Sequence, residues 1–115
     1  VRLLGAVPHG DLPRLIAAAD VMALASASEG LANAWVEALA CGTPIVITGA
    51  GGAGEVVTAP AYGRIVERTP AAFAEAIAAL LADPPSPSAA RAGAARFTWA
   101  ANTQALFDHL AGLVG

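Results

Sequence analysis

With 115 residues the chain has room for one small domain with a modest core, and not for two. Its 57% hydrophobic and 13% charged residues exclude a disordered segment, while a net charge of −3 with scattered basic residues excludes a stripe that could follow a nucleic-acid backbone. A single cysteine, Cys41, excludes an internal disulfide framework and fits a reducing compartment, so the cytoplasm is the expected location.

The chain opens at Val1, without a methionine and directly in what reads as a strand, Val1 to Leu4, closed by Gly5. This predicts a piece of a longer protein. After the loop Pro8-His9-Gly10, Asp11 can cap a helix whose apolar positions Leu12, Leu15, Ile16 and Ala19 recur at helical spacing, with Pro13 in the first turn. Asp20 ends that helix. Val21 to Ala25 is a continuous apolar run, the pattern of a strand buried on both faces of a parallel sheet. Ser26 to Ala32 reads as a polar loop, Asn33 as the cap of a helix from Ala34 to about Cys41, and Gly42 and Pro44 as its stop.

Ile45-Val46-Ile47 is β-branched throughout and predicts the next buried strand. Gly49, Gly51, Gly52 and Gly54 then predict a flexible loop ending at Glu55, and Gly63 to Val66 a short further strand. Thr69 caps a helix that starts on Pro70 and shows Phe73, Ile77, Leu80 and Leu81 on one face. Asp83 to Ser88, with three prolines, reads as a surface turn before a helical segment around Ala89 to Ala95. A last helix is expected over Trp99 to Leu113. The whole predicts an α/β fold, with a parallel sheet of about four strands flanked by helices and two successive helices at the C-terminus. Asp20, Glu29, Glu37 and Glu55 interrupt the apolar stretches, so no run reaches bilayer-spanning length, and no signal-peptide layout opens the chain.

The most specific stretch runs from Ser26 to Pro44. It puts one carboxylate, Glu29, in the loop after a parallel strand and a second, Glu37, eight positions on in the first turns of the next helix. Ligands of open α/β sheets bind at the carboxyl ends of the strands, so both carboxylates can face one crevice. The helix start would direct free N–H groups and a positive dipole end into the same crevice, which suits a diphosphate. Carboxylates repel phosphate but accept hydrogen bonds from hydroxyls, so sugar and ribose hydroxyls are their natural partners there. His9 and His109 have no neighbouring acid or second ligand in sequence and read as surface residues; Trp35 and Trp99 read as packing residues, and Cys41 as a small buried one.

The Glu29 to Glu37 spacing resembles the E-x7-E motif of family 4 glycosyltransferases of the GT-B fold, in the setting S-x-x-E-G…E-A-x-A-C-G-x-P. Four other pieces are similar in order and spacing: Leu4-Gly5-Ala6-Val7, Ala19-Asp20-Val21, Gly51-Gly52-Ala53-Gly54-Glu55 with Gly63 to Val66 after it, and Phe97-Thr98-Trp99. The resemblance covers nearly the whole chain and implies that residues 1–115 are the C-terminal portion of a Rossmann-like nucleotide-sugar-binding domain. It implies a retaining transfer of a hexose from a UDP-, GDP- or ADP-sugar, with no metal or other cofactor. Glu29 would be the catalytic carboxylate, against donor-sugar hydroxyls near the reacting carbon, and Glu37 would hold the ribose. The backbone amides of Gly30, Leu31, Ala32 and Asn33 would cradle sugar and diphosphate, and Val7 would lie near the base.

The family's two first strands of this domain, with the Lys and Arg that neutralise the leaving diphosphate, have no counterpart here, and neither has its N-terminal acceptor-binding domain. Arg64 and Arg68 are not at the positions of those cations. The fragment is therefore expected to be inactive alone, and any peripheral contact with a membrane to come from other regions. In the strand order 3-2-1-4-5-6, Val1 to Leu4 would be strand three, separated from Val21 to Ala25 by the absent pair. The isolated chain is expected either to slide its first strand against the second or to pair edges with another copy as a homodimer. Two other readings stand beside the glycosyltransferase: another GT-B enzyme such as a sugar-nucleotide epimerase or a phosphorylase, and a non-catalytic module binding nucleotide sugar or another chain.

Overall fold

The computed structural model describes residues 1–114. A 3-10 turn, His9–Asp11, runs into helix α1, Leu12–Ala17; strand β1, Met22–Leu24, follows, then α2, Asn33–Ala40, and β2, Ile45–Thr48. A four-residue helix α3, Ala53–Val56, precedes β3, Gly63–Val66, and the chain continues through α4, Pro70–Ala82, α5, Pro87–Arg91, a 3-10 turn Ala92–Ala94, and α6, Trp99–Val114. The strands form one parallel sheet in the order β1-β2-β3, with Met22 opposite Ile45 and Ile45 opposite Gly63.

The predicted alternation of strand and helix thus appears as an α/β layer with its helices on both sides. β2 is buried at all four positions, as a β-branched run between two parallel neighbours requires. Its odd-numbered residues Ile45 and Ile47 pack with Trp35 and Leu39 of α2, Val56 of α3 and Ala90 of α5 on one face. Val46 packs with Ala76 and Leu80 of α4 on the other. Each large side chain fully buried there contributes about 1.5–3 kcal/mol. Alanine supplies the close approaches between layers, and these few large groups hold the core.

Local signals account for the helix starts. Thr69 Oγ1 accepts a hydrogen bond from Ala72 N at 3.2 Å, with Pro70 as the first helical residue of α4. Ser86 Oγ accepts from Ala89 N at 3.2 Å, with Pro87 opening α5. Asn33, by contrast, does not cap α2: it is the first helical residue, the extended Ala32 precedes it, and no side chain caps the helix. Asp11 precedes α1 but makes no side-chain cap either, because the chain enters α1 already wound in a 3-10 turn.

Three expectations change. Val1 to Leu4 forms no strand, Leu3 is 94% exposed, and the sheet of the described residues has three strands rather than about four. Nor has this segment slid against β1, whose only ladder runs to β2. An apolar run becomes a strand only where a neighbour takes its backbone hydrogen bonds, and here it meets none. Third, the glycine loop before Glu55 is not a free connector, because it closes into α3 and packs on the loop after β1. At the far end α6 buries none of its residues, and Leu106, Phe107, Leu110 and Leu113 are all exposed.

Gly63 starts β3 at φ +146, and a Cβ built there would sit 1.8 Å from the Ile45 carbonyl oxygen. Gly63→Ala should therefore break the β2–β3 ladder, lowering stability by about 3 kcal/mol and the melting temperature by roughly 10 °C, as read by circular dichroism. The exposed stripe of α6 and the open edge of β1 should make the 115-residue chain self-associate with concentration; light scattering would show masses above 11.3 kDa, reduced by Phe107→Glu with Leu110→Glu.

Candidate functional site

The carboxyl ends of the three parallel strands share one edge of the sheet, and the loop Ala25 to Ala32 crosses it from the end of β1 to the start of α2. Four hydrogen bonds fix that loop. Arg68 Nε, just past β3, donates to the carbonyl of Ala25 at 3.0 Å. Thr48 Oγ1, at the last position of β2, donates to the carbonyl of Ser26. Ser26 Oγ donates to Glu29 Oε1 at 2.8 Å. Gly52 N, in the glycine loop after β2, donates to the carbonyl of Gly30 at 2.8 Å.

The glycine loop is pressed hard against this segment. Gly51 has φ +52, and a Cβ there would lie 1.9 Å from the Glu29 carbonyl oxygen and 2.2 Å from that of Gly30. No side chain fits. Gly51, read from sequence as flexibility, serves here as clearance, letting one loop back directly onto the other.

Glu29 is half-buried and its carboxylate is held at one oxygen, which leaves the second oxygen and its remaining lone pairs for donors from outside. Gly30, Leu31 and Ala32 lead from it to α2. Because no side chain caps α2, the amides of Asn33 and Ala34 at its first turn remain for another acceptor, at the positive end of the helix dipole. Glu37 is exposed one turn further on, on the same face as Asn33 at i, i+4 spacing. The two face a groove of about 760 Å³ between α2 and the start of α6, whose far wall includes Arg96, Trp99 and Asn102. Its volume is within the range of small-molecule sites. Val7 lies half-buried in a separate loop ahead of the 3-10 turn.

The structure thus brings Glu29, Gly30, Leu31, Ala32 and Asn33 together at the head of α2, sets Glu37 further along the helix, and keeps Val7 on another segment. Among the described residues no group of three or more His, Cys, Asp or Glu side chains is arranged to hold a metal ion. No helix among them is long and apolar enough to cross a membrane.

Sequence reasoning missed Arg68, Thr48 and the clearance role of Gly51. The available signal for the first two was topological: in a parallel sheet, residues just past each strand land at one edge, however far apart in sequence. Trp99 is also corrected, since it is 86% exposed and not a packing residue; Trp35 is fully buried, its indole N–H without a hydrogen-bond partner. Cys41 is half-buried rather than buried, and His9 and His109 are exposed as expected.

Residues 1–97 match the sequence pattern of the family described as Glycosyl transferases group 1. D-inositol 3-phosphate glycosyltransferase 1 of Catenulispora acidiphila is 40% identical over 104 residues, which are 86% of this chain and 25% of that protein. A GDP-mannose-dependent monoacylated alpha-(1-6)-phosphatidylinositol monomannoside mannosyltransferase of Corynebacterium glutamicum is 37% identical over 92 residues, 73% of this chain and 24% of that protein. Among solved structures, sucrose-phosphate synthase from Thermosynechococcus elongatus superposes with a TM-score of 0.72 at 30% identity, over 96% of this chain and 30% of that one. The chain spans about a quarter of the length of the curated relatives it matches. With an α/β fold like that of a solved glycosyltransferase and a family match over residues 1–97, the chain belongs to the group 1 glycosyl transferases of GT-B type.

Proposed function

We propose that this chain is the C-terminal portion of the donor-binding domain of a retaining, family 4 glycosyltransferase, taking a UDP-, GDP- or ADP-sugar. The observation that carries this reading is the pairing of a tethered carboxylate, Glu29, with an uncapped helix start in the same loop. A nucleotide sugar offers both matching chemistries in one molecule: hydroxyls for the carboxylate and a diphosphate for the amides.

In this reading Glu29 is the catalytic carboxylate and binds hydroxyls of the donor sugar near the reacting carbon. The amides of Gly30, Leu31, Ala32 and Asn33 receive the sugar and diphosphate, Glu37 accepts from the ribose hydroxyls, and the base lies towards Val7. Cations for the leaving diphosphate and the acceptor-binding domain come from the rest of a longer protein, which works in the cytoplasm or at its membrane surface. The proposed transfer runs without a bound metal, as the resemblance of the Glu29 to Glu37 stretch to family 4 implies.

The test uses the whole protein with UDP-glucose, GDP-mannose and ADP-glucose. Glu29→Ala should lower transfer by about 10²-fold or more with the preferred donor, and Glu37→Ala should weaken the matching nucleoside diphosphate by roughly tenfold, the scale of a hydrogen bond to a charged group. Wild-type binding and transfer in both variants would rule the assignment out.

A further inference from the structure

The bonds Thr48 Oγ1 to the Ser26 carbonyl and Ser26 Oγ to Glu29 Oε1 form a continuous path from the buried end of β2 to the carboxylate. Each part of the path is fixed by the one before it. Thr48 is 5% exposed, at the last rung of the β2–β3 ladder opposite Val66, so its backbone is held by the sheet and its hydroxyl position by burial. Ser26 is the first residue past Ala25, and its carbonyl is taken by Thr48 while its hydroxyl is aimed three residues on. A glutamate has three rotatable side-chain bonds, and a half-buried one in a loop samples several rotamers unless something selects among them.

We propose that Ser26 and Thr48 are positioning residues that preset the Glu29 carboxylate for the sugar moiety of the donor, an inference that rests on the reading of Glu29 as the sugar-binding carboxylate. The relay spends one carboxylate oxygen to aim the other.

A role of this kind predicts a loss specific to the sugar. Affinities of the whole protein would be measured by calorimetry for UDP-glucose, GDP-mannose and ADP-glucose and for UDP, GDP and ADP, using the preferred pair for the variants. Ser26→Ala and Thr48→Val should each bind the nucleotide sugar about tenfold more weakly while binding the nucleoside diphosphate as the wild type does. Thr48→Ser, which keeps the hydroxyl, should restore the sugar-dependent part. Equal losses for both ligands, or none, would overturn the proposal, and Ser26→Ala, at a loop position, gives the answer even if Thr48→Val fails to fold. If Glu29→Ala weakens the nucleotide sugar and Ser26→Ala does not, the relay alone fails; if Glu29→Ala has no effect, or the wild type binds none of the six ligands, the donor reading fails and the relay with it.

Discussion

A parallel strand buried on both faces must have its ends served by what comes after its neighbours, and β2 imposes that condition on the entire chain. Ile45, Val46 and Ile47 give it two apolar faces, so helices must cover both sides, α2 and α5 on one and α4 on the other. The crossovers this demands deliver three chain segments to one edge of the sheet. The loop after β1, the glycine loop after β2 and Arg68 after β3 all meet there. A site at that edge follows from the topology before any residue is chosen for its chemistry.

In the proposed reading the edge offers two separate attractions. The Glu29 carboxylate suits hydroxyl donors, and the free amides at the start of α2 suit a diphosphate. The bond from Ser26, and behind it Thr48, holds one oxygen of the carboxylate, and Ala32 leaves the amides uncapped. Gly51 contributes by what it lacks, since any side chain would displace the backbone of Glu29 and Gly30.

Much of this was legible in the sequence. β2 was written in a β-branched run, β3 in the short stretch Gly63 to Val66, α4 in its Thr69 cap and Pro70 start, and the two carboxylates in a spacing that places them on one loop and the following helix. What was not legible depended on contacts between distant positions. Val1 to Leu4 has strand composition, but composition does not supply a neighbour for its hydrogen bonds. Asn33 has the side chain of a cap, yet the helix begins one residue earlier than the pattern suggested, which changes the head of α2 from closed to open. Arg68, 43 positions from Ala25, and Gly51, against Glu29, gain their roles only through the sheet order. Trp99 looks like a core residue by type and is exposed, as is every residue of α6.

The central claim is that the head of α2 and the loop before it are a single ligand-binding surface. Amide chemical-shift mapping tests this most directly, with the 15N-labelled protein titrated with UDP-glucose, GDP-mannose and ADP-glucose. The largest shifts should fall on Gly30, Leu31, Ala32, Asn33 and Ala34, with Gly52 following through its bond to Gly30. Saturable shifts confined to other parts of the chain, such as α4 or the outer edge of β3, with the α2 amides unmoved, would contradict it.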